Sequence, residues 1–192
     1  MYDCLNQNHY QDADGYEIVP IRSVDIENIR QWRNEQQLIL RQNSIITPQQ
    51  QEKYFEEQIW PSFQEEQPNQ LLFSYLYHQV FIGYGGLTRI DWENKRAEIS
   101  FLVEPQRVMN LPVYSQDFSH FLNLIRQVAF TGLHFHRLYT ETFAFRKDHI
   151  YILEQQGFKR EGILRNHVHK KNEWIDSIFH GQLKHEWQAH EK

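Results

Sequence analysis

Three groups of residues in this chain have types and spacings suited to chemistry. The stretch EPQRVMNLPVYSQDFSHF, Glu104 to Phe121, leads from a polar turn into a helix-forming run. A helix start gathers unpaired backbone N–H groups and the positive end of the helix dipole, so such a junction can hold a phosphate. Loops of this kind generally rely on glycine, and none lies between Gly86 and Gly132. Two H-x-H pairs, His134/His136 and His167/His169, would each share one face of an extended strand, as a metal requires. No carboxylate or cysteine spacing completes either set, so they read as polar histidines and no metal is expected. Glu98, in RAEIS, has Arg89 and Arg96 close by as ion-pair partners.

Elements that must position these groups follow from periodicity. Residues 1–16 are polar and read as a flexible arm, with the single Cys4 untethered. EIVPIR alternates like a strand, and Asp25 reads as the N-cap of a helix over IENIRQWRN. Thr47, Pro48 and Gln50 form a capping-box signal with proline at the first helical position, opening a helix over PQQQEKYFEEQIW. LLFSYLYH, VFIGYGGLTRID and RAEISFLVE read as a three-strand meander, the last two joined by a turn at WENK. From Val113 onward, apolar residues recur at helical spacing to Gly132, read as the residue just past the helix end. HRLYTETFAF then predicts a strand, HIYILEQQ a short helix stopped by Gly157, and the remainder a final strand pair. The order predicts an α/β (α+β) fold, a mixed sheet with helices on both faces.

Composition narrows the classes. A chain of 192 residues with 40% hydrophobic and 15% aromatic content is long enough for one well-buried core. A net charge of −5 without any Lys/Arg block disfavours nucleic acid as the main partner. No apolar run of membrane-spanning length and no signal peptide is read, so a cytoplasmic location is expected.

The tail HRLYTETFAFRKDHIYILEQQGFKREGILRNHV resembles the GNAT superfamily of acyl-CoA-dependent N-acyltransferases. Within it, LEQQGFKREGILR looks like the L-E-x-x-G-F-x-x-E-G-x-x-R signature of the RimJ/RimL-like branch, and GYGGLTRIDWENKRAEISFLV is similar to that branch's third and fourth strands. The likeness runs from Glu17 to about Trp187. It implies a GNAT fold: a mostly antiparallel sheet of about six or seven strands in one domain, 17–187, with 188–192 as a tail. A second likeness, in IENIRQWRNEQQLILRQNSIIT, is to GNAT enzymes that acetylate amino sugars carried on nucleotides. It implies an acceptor pocket lined by Trp32, Arg33, Asn34, Asn43 and Ser44.

The resemblance also implies roles for the site residues. Acetyl-CoA is the expected acyl donor, lying between the fourth and fifth strands of the family fold, against the backbone of Phe101, Leu102 and Val103. Glu98 occupies the place of a carboxylate near the acceptor amine. The family's pyrophosphate loop falls on Arg107-Val108-Met109-Asn110-Leu111-Pro112. Asn110 stands for the first glycine and is expected in the left-handed region, and Pro112 sits at the helix start. Remaining phosphate donors would be the N–H groups of Met109, Asn110, Leu111, Val113 and Tyr114. Arg146 and His149 replace the family's N-x-x-S beside the pantetheine, and Leu153 stands where many relatives carry a tyrosine acid. The expected activity is acetyl transfer to a primary amine of a small acceptor such as a nucleotide-linked amino sugar. A protein amine, or a binding module without catalysis, are the alternatives. The sequence leaves the oligomeric state open, a homodimer included.

Overall fold

The computed structural model describes residues 1–190. One eight-stranded sheet runs in the order β1-β2-β3-β4-β5-β6-β8-β7. Its strands are β1 (Tyr10–Gln11), β2 (Tyr16–Pro20), β3 (Leu71–Tyr77), β4 (Val80–Asp91), β5 (Arg96–Val103), β6 (Arg137–Phe143), β7 (Lys159–Lys170) and β8 (Glu173–Leu183). Every pairing is antiparallel except β5 with β6. Helices α1 (Ile26–Glu35), α2 (Pro48–Tyr54) and the short α3 (Trp60–Ser62) precede the meander. The turn α4 (Pro105–Val108) and helix α5 (Leu111–Arg126) cross from β5 to β6, α6 (Lys147–Gln155) precedes β7, and α7 (Lys184–His190) closes the described chain. Of the expected tail, residues 188–190 continue α7, while 191–192 lie outside the described residues. No helix among the described residues is long and apolar enough to cross a membrane.

Alternation along β5 divides the packing. Ala97, Ile99, Phe101 and Val103 belong to the main core with Phe118, Phe121 and Ile125 of α5. Leu102 faces the other way, with Tyr84, Leu72, Ile29 and Phe55, under α1 and α2. Glu98 and Ser100 share the parity of Leu102, so they too look toward α1 and α2. Gly85, opposite Phe101 on β4, lets α5 press close. A Cβ there would lie 2.7 Å from the Phe121 ring and 2.2 Å from the Ser100 carbonyl oxygen.

Four expectations need correction. The sheet has eight strands, because the N-terminal segment adds the two-residue β1. That segment is no loose arm: Tyr2, Leu5 and Tyr10 are buried in the main core. The Tyr2 hydroxyl donates to the Leu72 carbonyl (2.9 Å) and accepts from the Leu72 N–H (2.8 Å). Asp25 makes no side-chain cap; it is ion-paired with Arg22 and accepts from the Ser74 hydroxyl at 2.6 Å. Gly132 does not end its helix in the left-handed region. A wider helical turn carries the chain through Gln127–Gly132, and His134 takes the positive φ of 56°. The Thr47–Gln50 capping box with Pro48 is present as expected.

Candidate active site

The parallel junction opens the site. β5 and β6 pair only over Arg96–Glu98 against Arg137–Tyr139. Beyond them the strands diverge, and a cleft of about 200 Å³ lies in the gap, bordered by Glu98, Phe101, Thr140, Glu141, Arg146 and His149. A second chamber of about 470 Å³ lies under α1 and α2. Arg33, Thr88 and Ser100 border both, so the two spaces meet beside Glu98.

Glu98 is buried and ion-paired. Arg41 Nη2 donates to Glu98 Oε1 at 2.6 Å and to Glu141 Oε2, on β6, at 2.9 Å. Arg41 therefore spans the diverging strands. Arg89 approaches Glu98 Oε2 at 3.3 Å, while Arg96 pairs with Asp91 instead. Lys170, from the β7–β8 hairpin, holds the segment that carries Arg41 by donating to the carbonyls of Gln37, Leu40 and Gln42. Burial among them pushes its amine below the ordinary lysine value.

Residues expected around the acceptor divide. Arg33 borders both spaces, donating to the Tyr84 hydroxyl (2.6 Å) and to Gln42 Oε1 (3.2 Å), and Ser44 borders the chamber. Trp32 stacks on Phe81 with centroids 5.0 Å apart, a packing contact away from the chamber lining. Asn34 ties down the following segment, donating to the Ile46 carbonyl and accepting from the Ile46 N–H. Asn43 is exposed on a separate shallow hollow beside Lys170.

The donor side divides as well. Val103 offers its carbonyl to Gln36 Nε2 at 2.9 Å, and Gln36 Oε1 is buried there without a hydrogen-bond partner among the described residues. This oxygen lies beside the Phe101–Val103 backbone, where an amide N–H of a bound donor would satisfy it. The loop beyond is different. Asn110 is not left-handed (φ −106°, ψ 95°) but caps α5, its side chain accepting from the Val113 N–H. The N–H groups of Met109, Asn110 and Tyr114 are bonded to the carbonyls of Pro105, Arg107 and Asn110. Most of the expected phosphate donors are thus engaged inside the loop, because the α4 turn and the Asn110 cap consume them. Arg107 is engaged too, on Asp117. Met109 and Leu111 are exposed, and Val108 packs against the core.

Arg146 and His149 converge on a third residue. The Tyr114 hydroxyl lies 2.7 Å from His149 Nδ1, and Arg146 Nη2 donates to it at 3.1 Å. Burial, then the Arg146 charge, holds the His149 imidazole well below the usual histidine range, so it stays neutral. Burial pushes the Tyr114 phenol up. Leu153 is fully buried and Tyr151 faces solvent, so α6 presents no tyrosine acid. Arg41, Glu141, Lys170 and Gln36 are absent from the expectations above. Arg41 lies in a stretch without periodicity, and Glu141 is one polar residue of a strand that alternates normally.

The sheet thus carries two adjoining spaces, one in the strand gap and one under the helices. Residues 18–179 match the family model described as acetyltransferase (GNAT) domain. None of the curated proteins matches the chain in sequence. Among solved structures, the dodecameric spermidine N-acetyltransferase from Vibrio cholerae is 16% identical, with 93% of this chain and 99% of that chain covered and a TM-score of 0.76. The spermidine N-acetyltransferase from Vibrio cholerae in complex with CoA and spermine is 16% identical, covering 91% and 98%, at a TM-score of 0.74. A probable acetyltransferase is 19% identical, covering 93% and 98%, at 0.71. The chain belongs to the GNAT acetyltransferase family and is a GNAT-type N-acetyltransferase, with a fold that binds acetyl-CoA.

Proposed function

We propose that this protein transfers the acetyl group of acetyl-CoA to the primary amine of a small, hydroxyl-rich acceptor, an amino sugar free or nucleotide-linked. The observation that carries this reading is the chamber lining. Ser44, Gln50, Gln51, Gln70, Thr88 and Ser100 offer neutral hydrogen-bonding groups, Arg33 is the one charged lining residue, and no carboxylate is among them. Such a surface suits hydroxyls, amides or a phosphate. A polycation such as the spermine held by the Vibrio cholerae relative would find no counter-charge in the chamber. The RimJ/RimL-like tail signature keeps a protein N-terminal amine as the second reading.

When bound, acetyl-CoA supplies the thioester carbonyl that the amine attacks. The chain's part is to bring the amine beside Glu98: the ammonium form first gives up one proton to solvent, and Glu98 takes the second, lost from the neutral amine as the C–N bond forms and the C–S bond breaks. Fixed backbone N–H groups at Phe101–Val103 would stabilise charge on the carbonyl oxygen without rearrangement. With Leu153 buried on α6, the thiol leaves as thiolate, which a pKa of about 8.5 permits near neutral pH.

The test is a thermal shift with acetyl-CoA and with CoA, followed by thiol release over aminated UDP-sugars, free amino sugars, polyamines and N-terminal peptides. Stabilisation by the donor and release with amino sugars are expected. Release confined to peptides or polyamines would overturn the acceptor assignment.

A further inference from the structure

We propose that Glu98 and Glu141 form a two-carboxylate seat for the acceptor's ammonium group, and that Arg41 fills this seat while the acceptor is away. The proposal rests on the amine-acetyltransferase reading above.

The two carboxylates stand on β5 and β6, on either side of the strand gap, and each side chain is only 6% exposed. Two buried carboxylates facing one point repel each other, and a cation between them offsets that repulsion. Arg41 supplies it, and its position marks where a cation fits. It is a replaceable one. Arg41 is 39% exposed and lies on the irregular segment between Ile39 and the start of α2 at Pro48. A loop arginine open to solvent can swing aside while the strand carboxylates stay fixed.

The seat also has unused capacity. Glu98 Oε2 is buried and makes no hydrogen bond among the described residues. Arg89 Nη1, at 3.3 Å, forms an ion pair outside hydrogen-bond geometry, and its side chain is 58% exposed. His167 stands 3.7 Å from Glu141 Oε1. A primary ammonium carries three donors on one nitrogen, enough for both carboxylates and the unused oxygen. Thr88 pairs directly with Glu98 across the β4–β5 ladder and borders both spaces, so the body of the same molecule would lie in the chamber, whose lining holds no carboxylate. The seat therefore selects an acceptor with a single ammonium head and an uncharged or anionic body.

Binding without any donor tests this. Calorimetric titration uses glucosamine and butylamine as amines, and N-acetylglucosamine as the uncharged counterpart. Glucosamine should bind at least about tenfold tighter than N-acetylglucosamine, and Glu141→Gln should weaken it by about tenfold, the scale of one charge-assisted hydrogen bond. Arg41→Gln should instead tighten both amines severalfold, with its melting curve confirming a folded protein. Weaker amine binding by Arg41→Gln, equal binding of the two sugars, or no amine binding by Arg41→Gln would each overturn the proposal. Thiol release is measured separately. Amine binding without release counts against the acetyl-transfer reading of that acceptor and leaves the seat standing.

Discussion

Arg107 and Asp117 close a two-pronged ion pair at the edge of the core. Arg107 Nε donates to Asp117 Oδ2 at 2.6 Å and Nη2 to Oδ1 at 2.8 Å, and the Asp117 side chain is fully buried. The Tyr16 hydroxyl donates to the same carboxylate at 3.0 Å. The arginine that sequence analogy turns toward a phosphate is here the partner that makes a buried carboxylate tolerable.

Arg107→Met should therefore act on stability. Removing one partner of a buried pair leaves an uncompensated charge, a loss of about 3–5 kcal/mol in urea unfolding. Arg107→Met combined with Asp117→Leu should recover much of it. If the single variant unfolds like the parent and loses only CoA affinity, the pair is not structural.

Asn110 separates cap from nest. Asn110→Ala should cost about 1 kcal/mol and Asn110→Gly only a few tenths, since glycine is a tolerable N-cap. Asn110→Gly also frees the Val113 N–H, so the thermal shift produced by CoA should grow. A smaller shift would mean that the Asn110 side chain itself contacts the donor.

His149 predicts a pH slope. Its folded pKa is depressed below the unfolded value near 6.5, so its contribution to stability is present above that value and lost as pH falls below it. His149→Asn should flatten stability against pH below about 6.5, by up to about 1.4 kcal/mol per pH unit. His180, also held low by burial, leaves a residual slope of the same sign. Parallel melting curves of parent and variant from neutral to acidic pH would refute the assignment.

Gly85→Ala should push β4 from β5 or α5 from the sheet, because its Cβ meets Ser100 and Phe121 at once. Overpacking of this kind costs about 1–3 kcal/mol. Differential scanning calorimetry should show the loss, and an unchanged melting point would mean the sheet accommodates the methyl freely.

Glu98→Gln should lower turnover by about 10²–10⁴-fold if the carboxylate takes the amine's proton. Steady-state thiol release under saturating acceptor measures it, and unaltered kcat would leave Glu98 with its ion-pair role alone.

Much of this fold is legible because its signals are local. The Thr47 capping box, the WENK turn and the left-handed Gly157 are fixed by a few adjacent residues, and the tail motif spans one helix and its flanking strands. Placing Glu98 on the chamber side of β5 needs only strand parity. What stays hidden is decided by distant partners. Tyr2, Leu5 and Tyr10 are too sparse to show a period, yet bury against strands far along the chain. Arg41 reaches Glu98 and Glu141 across 57 and 100 residues of sequence. The occupied loop donors depend on the dihedrals of Asn110, and the assumption that Asn substitutes for a left-handed glycine picks the wrong basin.

The three-residue pairing of β5 with β6 makes the sheet two antiparallel leaves stitched by a short seam, β1 to β5 on one side and β6, β8 and β7 on the other. Main-chain bonds fix the angle over the seam, and at its edge a side chain adds one more stitch: Arg41 ties Glu98, the last paired residue of β5, to Glu141 of β6, with Lys170 behind it. The width of the gap just beyond the seam thus depends on two long, flexible cations, and it answers to whatever competes with them for charge.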